Sequence, residues 1–226
     1  MTVAEIIDSI NANIRSIYPD KGFLDSVILK DMNRALREIA GVYHLPDLQK
    51  TRTNTFEAYE DDVTGYEAKV SLPSDFGHSI YWARNLTQES DITRIYPNVA
   101  ALKSEYSGSN PTGSVEAIAW DGASIWGFYC PETEEEVSIS YYKNPDTLTL
   151  TSTPDCLPVR LHEGLLADGT TARLLKRIPE EIKAKAGGVN MKYHLEEARV
   201  ALGDLESICR LSPRTKPFYR RDVQYF

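Results

Sequence analysis

The sequence predicts an α+β protein, in which helices from both ends of the chain form a helical bundle and the middle of the chain forms an inserted antiparallel β region. Apolar residues recur every three or four positions in the first fifty residues and again after about residue 155. Between these parts they alternate with polar residues. A period near 3.6 favours helices and a period of two favours strands. Residues 1–50 and 155–209 are therefore expected to form one helical core of about four helices, and residues 51–154 an inserted β domain.

The first fifty residues are predicted to form two helices. Thr2 and Glu5 have the spacing of a capping box, and the isoleucines that follow recur on one helical face. A second helix is expected from about residue 23 to residue 40, where Gly41 is placed for a left-handed C-terminal cap.

The middle of the chain is predicted to hold about seven short strands. They are expected near 51–59, 66–72, 79–86, 91–96, 114–120, 123–129 and 136–142. Asp121 and Gly122 are typical of a two-residue hairpin turn, and a short helix is expected near residues 99–106. Two acidic stretches, EDD at 60–62 and ETEEE at 132–136, are expected at solvated loop tips.

Aromatic residues of the β region occur in adjacent pairs: Tyr81-Trp82, Phe128-Tyr129 and Tyr141-Tyr142. Because adjacent residues on a strand point to opposite faces, such pairs place rings on both sides of a sheet. Two alternatives stay open at this stage. One aromatic side is an interface, or the chain covers both sides itself.

After the β region the chain returns to helix. Leucines from Leu157 to Leu175 predict one long helix that Pro179 stops or restarts. A last helix carries apolar residues at near-heptad spacing, and these are Met191, Leu195, Ala198, Leu202, Leu205 and Cys209.

The final segment, RLSPRTKPFYRRDVQYF at residues 210–226, is predicted to be an extended arm that binds a partner. It holds five basic residues and one acid in a chain of net charge −8, so the preceding residues sum to −12. Two prolines oppose a continuing helix, and the segment can reach about 55 Å when extended. A frayed terminus and nucleic-acid binding are the alternatives. The predicted binding residues are Arg210, Arg214, Lys216, Phe218, Tyr219, Arg220, Arg221, Tyr225 and Phe226.

Motifs for catalysis or cofactor binding are missing from the sequence. There is no phosphate-binding glycine loop, no nucleophile elbow and no zinc-protease helix. The four histidines lie far apart and are expected at the surface or on the sides of helices, and three distant cysteines form no disulfide framework. We therefore predict no catalytic residues, no metal site and no cofactor.

Membrane association is not expected either. The N-terminal segment carries acids where a secretory signal carries basic residues, and no apolar run approaches the length of a membrane span. A cytoplasmic site of synthesis is the expectation.

Three stretches of the sequence resemble the head-to-tail adaptor (connector) proteins of tailed bacteriophages. They are LREIAGVYHLPDLQ at the end of the first helix pair, YEAKVSLPSDF before a strand, and VSISYYKNPDTLTLTSTPDCLP leading into the helix LHEGLLADGTTARLL. The part from Tyr141 to Leu166 carries most of the resemblance.

The resemblance implies a structural protein of the virion, located at the head-tail interface. Such adaptors form a ring, usually of twelve copies, beneath the portal protein, and contact tail tube, nozzle or neck proteins. Their C-terminal arm docks into the portal. Genomic DNA passes through the lumen without specific binding, which an acidic lining favours because it repels phosphates.

Three other functions stay open from the sequence. One is another neck or tail-completion ring of the virion. The second is a virion-associated peptidoglycan or polysaccharide hydrolase, because some pair among 33 acids must lie close in space. The third is a DNA-packaging factor that binds through residues 210–226.

Overall fold

The protein is described here from a computed structural model that covers residues 1–20, 22–58, 68–105, 112–178 and 189–211, with only the backbone of residues 189, 190, 210 and 211. Within these ranges it is an α+β protein with five α-helices and two β-sheets. The chain divides into two compact units. The helical unit joins Met1–Leu48 to the chain from Pro145 onward, and the β unit is Gln49–Asn144.

Two helices open the helical unit. Helix α1 is Val3–Ile17, and its predicted capping box is confirmed because Thr2 and Glu5 exchange side-chain to backbone hydrogen bonds. The buried face of α1 consists of Val3, Ile6, Ile7, Ile10 and Ile14. Helix α2 is Asp25–Ala40.

The predicted left-handed cap of α2 is wrong. Gly41 has φ −72° and ψ −13°, which is right-handed, and its N–H bonds to the carbonyls of Arg37 and Ile39. The end of α2 therefore tightens into a last turn and needs no positive φ.

The predicted helix after the β region is helical but is not wound as one α-helix. A 3₁₀ turn at Val159–Leu161 leads into a π-helical segment at His162–Asp168, and helix α4 follows at Gly169–Lys176. Leu157 precedes this stretch, and Pro179 lies outside the described residues. Leucine spacing alone does not distinguish π from α winding.

Helix α5 is Val189–Leu211, and it packs on the π segment and on α4. The buried face of α5 is rotated about the helix axis relative to the near-heptad stripe that the sequence predicts. The residues that are buried are His194, Ala198, Ala201, Leu205 and Cys209. Met191, Leu195 and Leu202 are only half-buried.

The β unit contains two four-stranded sheets. The first has the order β1 (Gln49–Phe56), β8 (Glu135–Lys143), β3 (Phe76–Asn85) and β4 (Ser90–Asp91). The second has the order β2 (Lys69–Ser71), β7 (Ser124–Phe128), β6 (Ala117–Trp120) and β5 (Arg94–Tyr96). Strands β5 and β6 are parallel, and the other pairs are antiparallel.

One predicted strand, 91–96, is two strands in different sheets. Residues 90–91 pair with β3 and residues 94–96 pair with β6, so the chain crosses between the sheets at residues 92 and 93. The short helix α3 at Val99–Glu105 follows, as predicted. The hairpin after β6 is longer than predicted, because Trp120 pairs with Ile125 and leaves a loop of four residues.

The two sheets pack face to face around one apolar core. Val137, Ile139 and Tyr141 of β8 lie in it with Ile118 of β6 and Ile125 of β7. A smaller cluster on the other face of the second sheet packs Leu102 of α3 against Ala117, Ala119 and Phe128.

Candidate interaction surfaces

The predicted docking arm falls almost entirely outside the described residues. Leu211 is the last residue that the structure describes, and Arg210 lies in the final turn of α5 with only its backbone described. The other predicted binding residues of the arm, which are Arg214, Lys216, Phe218, Tyr219, Arg220, Arg221, Tyr225 and Phe226, lie beyond it. The arm therefore stays a prediction.

The helix that leads to the arm is held firmly by the helical unit. Nδ1 of the buried His194 lies 2.6 Å from Oδ1 of the buried Asp168, which is the last residue of the π segment. Ala201 packs so closely on Gly164 that a Cβ at residue 164 would lie 2.6 Å from the Ala201 Cβ. These two contacts explain why the buried face of α5 includes His194 and Ala201, which lie outside the stripe that the sequence predicts.

A buried asparagine connects α2 to the chain that follows the β region. Asn33 Nδ2 donates to the carbonyl oxygen of Leu148, and Asn33 Oδ1 accepts the Leu148 N–H at 2.7 Å. The same amide group also donates to the carbonyl of Leu29 within α2. One side chain thereby satisfies both backbone polar groups of a residue in an irregular segment.

Ion pairs join α2 to α4 and to Arg177, the residue directly after α4. Arg177 Nη2 lies 2.6 Å from Oδ1 of the buried Asp31, and Glu38 binds both Arg173 and Arg34. Partial burial alone would raise the pKa of Glu38, but hydrogen bonds from Arg173 and Arg34 outweigh it and lower that pKa.

A buried carboxylate lies in the acidic stretch ETEEE, which was expected to be solvated. Glu132, Glu134 and Glu136 are exposed, but Glu135 is only 2% exposed. It accepts hydrogen bonds from the amide groups of Asn85 (2.7 Å) and Gln88 (3.0 Å) and from the Val115 N–H (2.9 Å). The other acidic stretch, 60–62, lies outside the described residues.

A second polar cluster of the β unit surrounds Asp75. Lys50 Nζ lies 2.6 Å from one carboxylate oxygen, and the Tyr141 hydroxyl donates to the other at 2.7 Å. Burial opposes ionisation of Asp75, but hydrogen bonds from Lys50 and Tyr141 outweigh it and lower the pKa of Asp75. Burial and the bond to Asp75 raise the pKa of Tyr141.

The paired aromatic residues serve the packing of the β unit. Tyr141 lies in the core between the sheets, whereas Tyr142 is 1% exposed on the other face, where His78 stacks on it with 5.1 Å between ring centroids. Trp126 donates to Asp121 and lies within 5.3 Å of the ammonium groups of Lys69 and Lys103. Tyr81 and Trp82 remain half-exposed.

The cysteines and histidines do not form a reactive centre in the described residues. Burial raises the pKa of Cys156 and of Cys209 to about 11, so both thiols are weak nucleophiles. Two histidines are buried, and both lie on helical segments, which agrees with the expectation of surface or helix-side positions. His194 contacts Asp168, and His162 Nε2 lies 2.9 Å from the Leu157 carbonyl oxygen.

A metal-binding cluster and a membrane-spanning helix are both missing from the described ranges. No group of three or more His, Cys, Asp or Glu side chains there has the geometry to hold a metal ion. No described helix is long and apolar enough to span a membrane.

Comparison with known proteins identifies one family. The model of the SU10 adaptor protein family matches residues 1–215. No curated protein matches the chain. The matched region covers the β unit and all of the described residues of the helical unit, and it ends before the aromatic residues of the arm. It indicates a phage adaptor-type structural protein, a location in the virion and association with other neck or capsid proteins. The family is a structural family and not an enzyme family.

Proposed function

Because the chain belongs to the SU10 adaptor protein family, we propose that it is the head-to-tail adaptor that binds the portal protein and connects the capsid to the tail. The match over residues 1–215 carries this proposal. We further propose a ring of about twelve copies, as the resemblance to connectors implies. In each copy the helices would form a four-helix layer of the ring, and the β unit, Gln49–Asn144, would be a domain inserted between them in the sequence.

The charge of the chain supports a role in DNA passage. Residues 1–209 sum to −12, and acidic surface repels the phosphate backbone. A ring with this charge would let the genome pass toward tail tube, nozzle or neck proteins without holding it.

The C-terminal arm is proposed to dock into the portal. It follows α5, whose position is fixed by the contacts of His194 and Ala201. An extended arm of this length can leave its own subunit. Phe218, Tyr219, Tyr225 and Phe226 supply aromatic anchors, which are common at the energetic centres of interfaces. These anchors lie beyond the matched region, as expected for a segment adapted to one partner.

Assembly on the purified portal protein tests the proposal. Full-length protein is expected to co-sediment with portal and to form a stacked ring by negative-stain imaging. A chain that stops at Leu211 keeps every described residue, and it is expected to bind portal about a hundredfold more weakly. Its matched control is Arg199→Ala, a change of an exposed residue of α5 that should leave binding unchanged.

Two different results would contradict two different parts of the proposal, the docking arm and the adaptor function. Equal binding by the truncated chain would contradict the docking arm while leaving the adaptor ring intact. A full-length chain that stays monomeric in the presence of portal would contradict the adaptor function itself.

The basic charge of residues 210–226 supports one other candidate, a DNA-packaging factor. Such a factor would retain DNA through these residues, and retention would fall steeply between about 50 and 200 mM salt. The adaptor proposal expects no DNA retention by the full-length chain at either salt concentration.

A further inference from the structure

An acidic stripe runs along one side of α5 in the helical unit. Tyr193, Glu197, Val200 and Asp204 follow one another at steps of four and three residues, so their side chains lie on one side of the helix. Tyr193 and Val200 are 58% and 56% exposed, Asp204 is exposed and Glu197 is half-buried. The two basic side chains described on α5 lie about a third of a turn or more around the helix axis from both acids. These four residues, the α5 stripe, therefore present two apolar side chains and two negative charges.

A basic stripe runs along the exposed side of α2. Lys30, Arg34 and Arg37 are exposed and lie on one side of this helix, because they are separated by four and three residues. The acids beside them, Asp31 and Glu38, already bind arginine side chains. The remaining acid of α2 is its first residue, about a third of a turn or more around the axis from Lys30 and from Arg37. These three basic residues, the α2 stripe, therefore carry positive charge that the acids of α2 do not balance.

The two stripes match each other in charge and in spacing. Glu197 and Asp204 are seven residues apart, and so are Lys30 and Arg37, which gives about 10.5 Å along each helix. None of these four side chains forms an ion pair with a described residue. Within one copy, α5 packs on the π segment and α4, whereas α2 packs on α4, α1 and the π segment. No contact in the described part of the chain therefore uses these charges.

We propose that the α5 stripe of one copy packs on the α2 stripe of the next copy, and that this contact joins neighbouring copies of the ring. The inference rests on the proposed adaptor ring and names the surfaces that hold it together. Two different surfaces that meet head to tail generate a ring when the rotation closes. Val200 lies between the two acids as Arg34 lies between the two outer bases, so the valine packs on the methylene stem of the arginine.

Charge reversal on each stripe tests the pairing. The α2 variant carries Lys30→Glu and Arg37→Glu, and the α5 variant carries Glu197→Lys and Asp204→Lys. Each variant alone places like charges at every contact, so ring assembly on the purified portal protein should be at least about tenfold weaker by co-sedimentation and negative-stain imaging. A one-to-one mixture of the two variants should restore the ring, because every contact joins opposite charges when the variants alternate.

Two controls accompany the charge reversals. Lys192→Glu with Arg199→Glu reverses two charges on another side of α5, and this variant should assemble as the unchanged protein does. The urea midpoints of the free α2 and α5 variants should equal that of the unchanged protein, because the four substituted side chains have no ion pair in the described part of one copy. A lowered midpoint would overturn the proposal, since the stripe would then be covered by its own chain.

The unchanged protein distinguishes failure of the pairing from failure of the adaptor function. If it forms the ring on the portal, full assembly of either variant alone, or a mixture that does not restore the ring, would refute the pairing and leave the adaptor function intact. If the unchanged protein does not assemble on the portal, the adaptor function and the pairing are both contradicted.

Discussion

The helical unit and the β unit each use one buried polar side chain to hold distant backbone, and the two side chains differ in chemistry. Asn33 faces the peptide groups of Leu148, which present a donor and an acceptor, and an amide matches both. Glu135 faces donors alone, from Asn85, Gln88 and Val115, and its two carboxylate oxygens accept all three hydrogen bonds. The donors and acceptors that surround each site therefore match the polar group that is buried there.

Removal of the carboxylate should have the largest effect on stability. Glu135→Ala leaves the buried donors of Asn85 and Val115 unpaired, and we expect the free energy of unfolding to fall by about 3–5 kcal/mol. Glu135→Gln, which keeps one acceptor oxygen, should cost less. Urea unfolding followed by tryptophan fluorescence measures both, with Glu136→Ala as the exposed control. If Glu135→Ala unfolds like that control, the hydrogen bonds of Glu135 do not stabilise the β unit.

Removal of the buried amide should come next. Asn33→Ala deprives the Leu148 N–H and C=O of their partner, which should cost about 2–4 kcal/mol. Asn33→Asp keeps the acceptor and should fall between Asn33→Ala and the unchanged protein at neutral pH. The same unfolding experiment applies, with Lys30→Ala on the exposed side of α2 as its reference. A cost for Asn33→Asp above that of Asn33→Ala would show that the donor outweighs the acceptor.

A steric contact of the helical unit gives a smaller effect that a second substitution should reverse. Gly164→Ala places a Cβ 2.6 Å from that of Ala201, which should destabilise the unit by about 1–3 kcal/mol. In the double variant with Ala201→Gly the clash is gone, so most of the loss should be recovered. Calorimetric unfolding of the two single variants and the double variant measures the coupling. Additive effects would mean that α5 shifts to relieve the contact.

The dependence of stability on pH should be the smallest effect, and it should appear in both units. Glu38 and Asp75 have lowered pKa values in the folded protein. Their stabilising contribution is present above the ordinary carboxyl pKa, near about 4, and is lost as the pH falls through the lower folded value.

Each of these two acids should contribute less than about 1 kcal/mol, because each is about one-third exposed. Glu38→Gln and Asp75→Asn should therefore destabilise at pH 6 and make little difference near pH 2. Unfolding measured at both values checks this, and equal losses at both would contradict an electrostatic cause.

Regular helices could be predicted from the sequence because one local pattern determines each of them. The spacing of Thr2 and Glu5 predicted the start of α1, and the isoleucines predicted its buried face. The winding of residues 162–168 could not be predicted, because the leucines around them fit either type of helix. The separation of β4 from β5 could not be predicted either, because residues 91–96 have the sequence pattern of one continuous strand.

The buried polar contacts depend on residues far apart in sequence and were harder to predict. Glu135 had one signal, because it lies two residues before Val137 and so shares the face of Val137, Ile139 and Tyr141. Asn33 and Asp168 had none, because their partners, Leu148 and His194, are identified only by the fold. The arm, which carries the predicted binding residues, is not tested by the described structure.

The contact between Asn33 and Leu148 also bears on synthesis of the protein. The two residues are 115 positions apart, and the whole β unit lies between them. At about 5–20 residues per second, a ribosome needs roughly 6–23 s to make that interval. During this time the later helices that cover the apolar faces of α1 and α2 have not yet been synthesised. The β unit, in contrast, has all of its strands as soon as residue 144 has emerged from the ribosome.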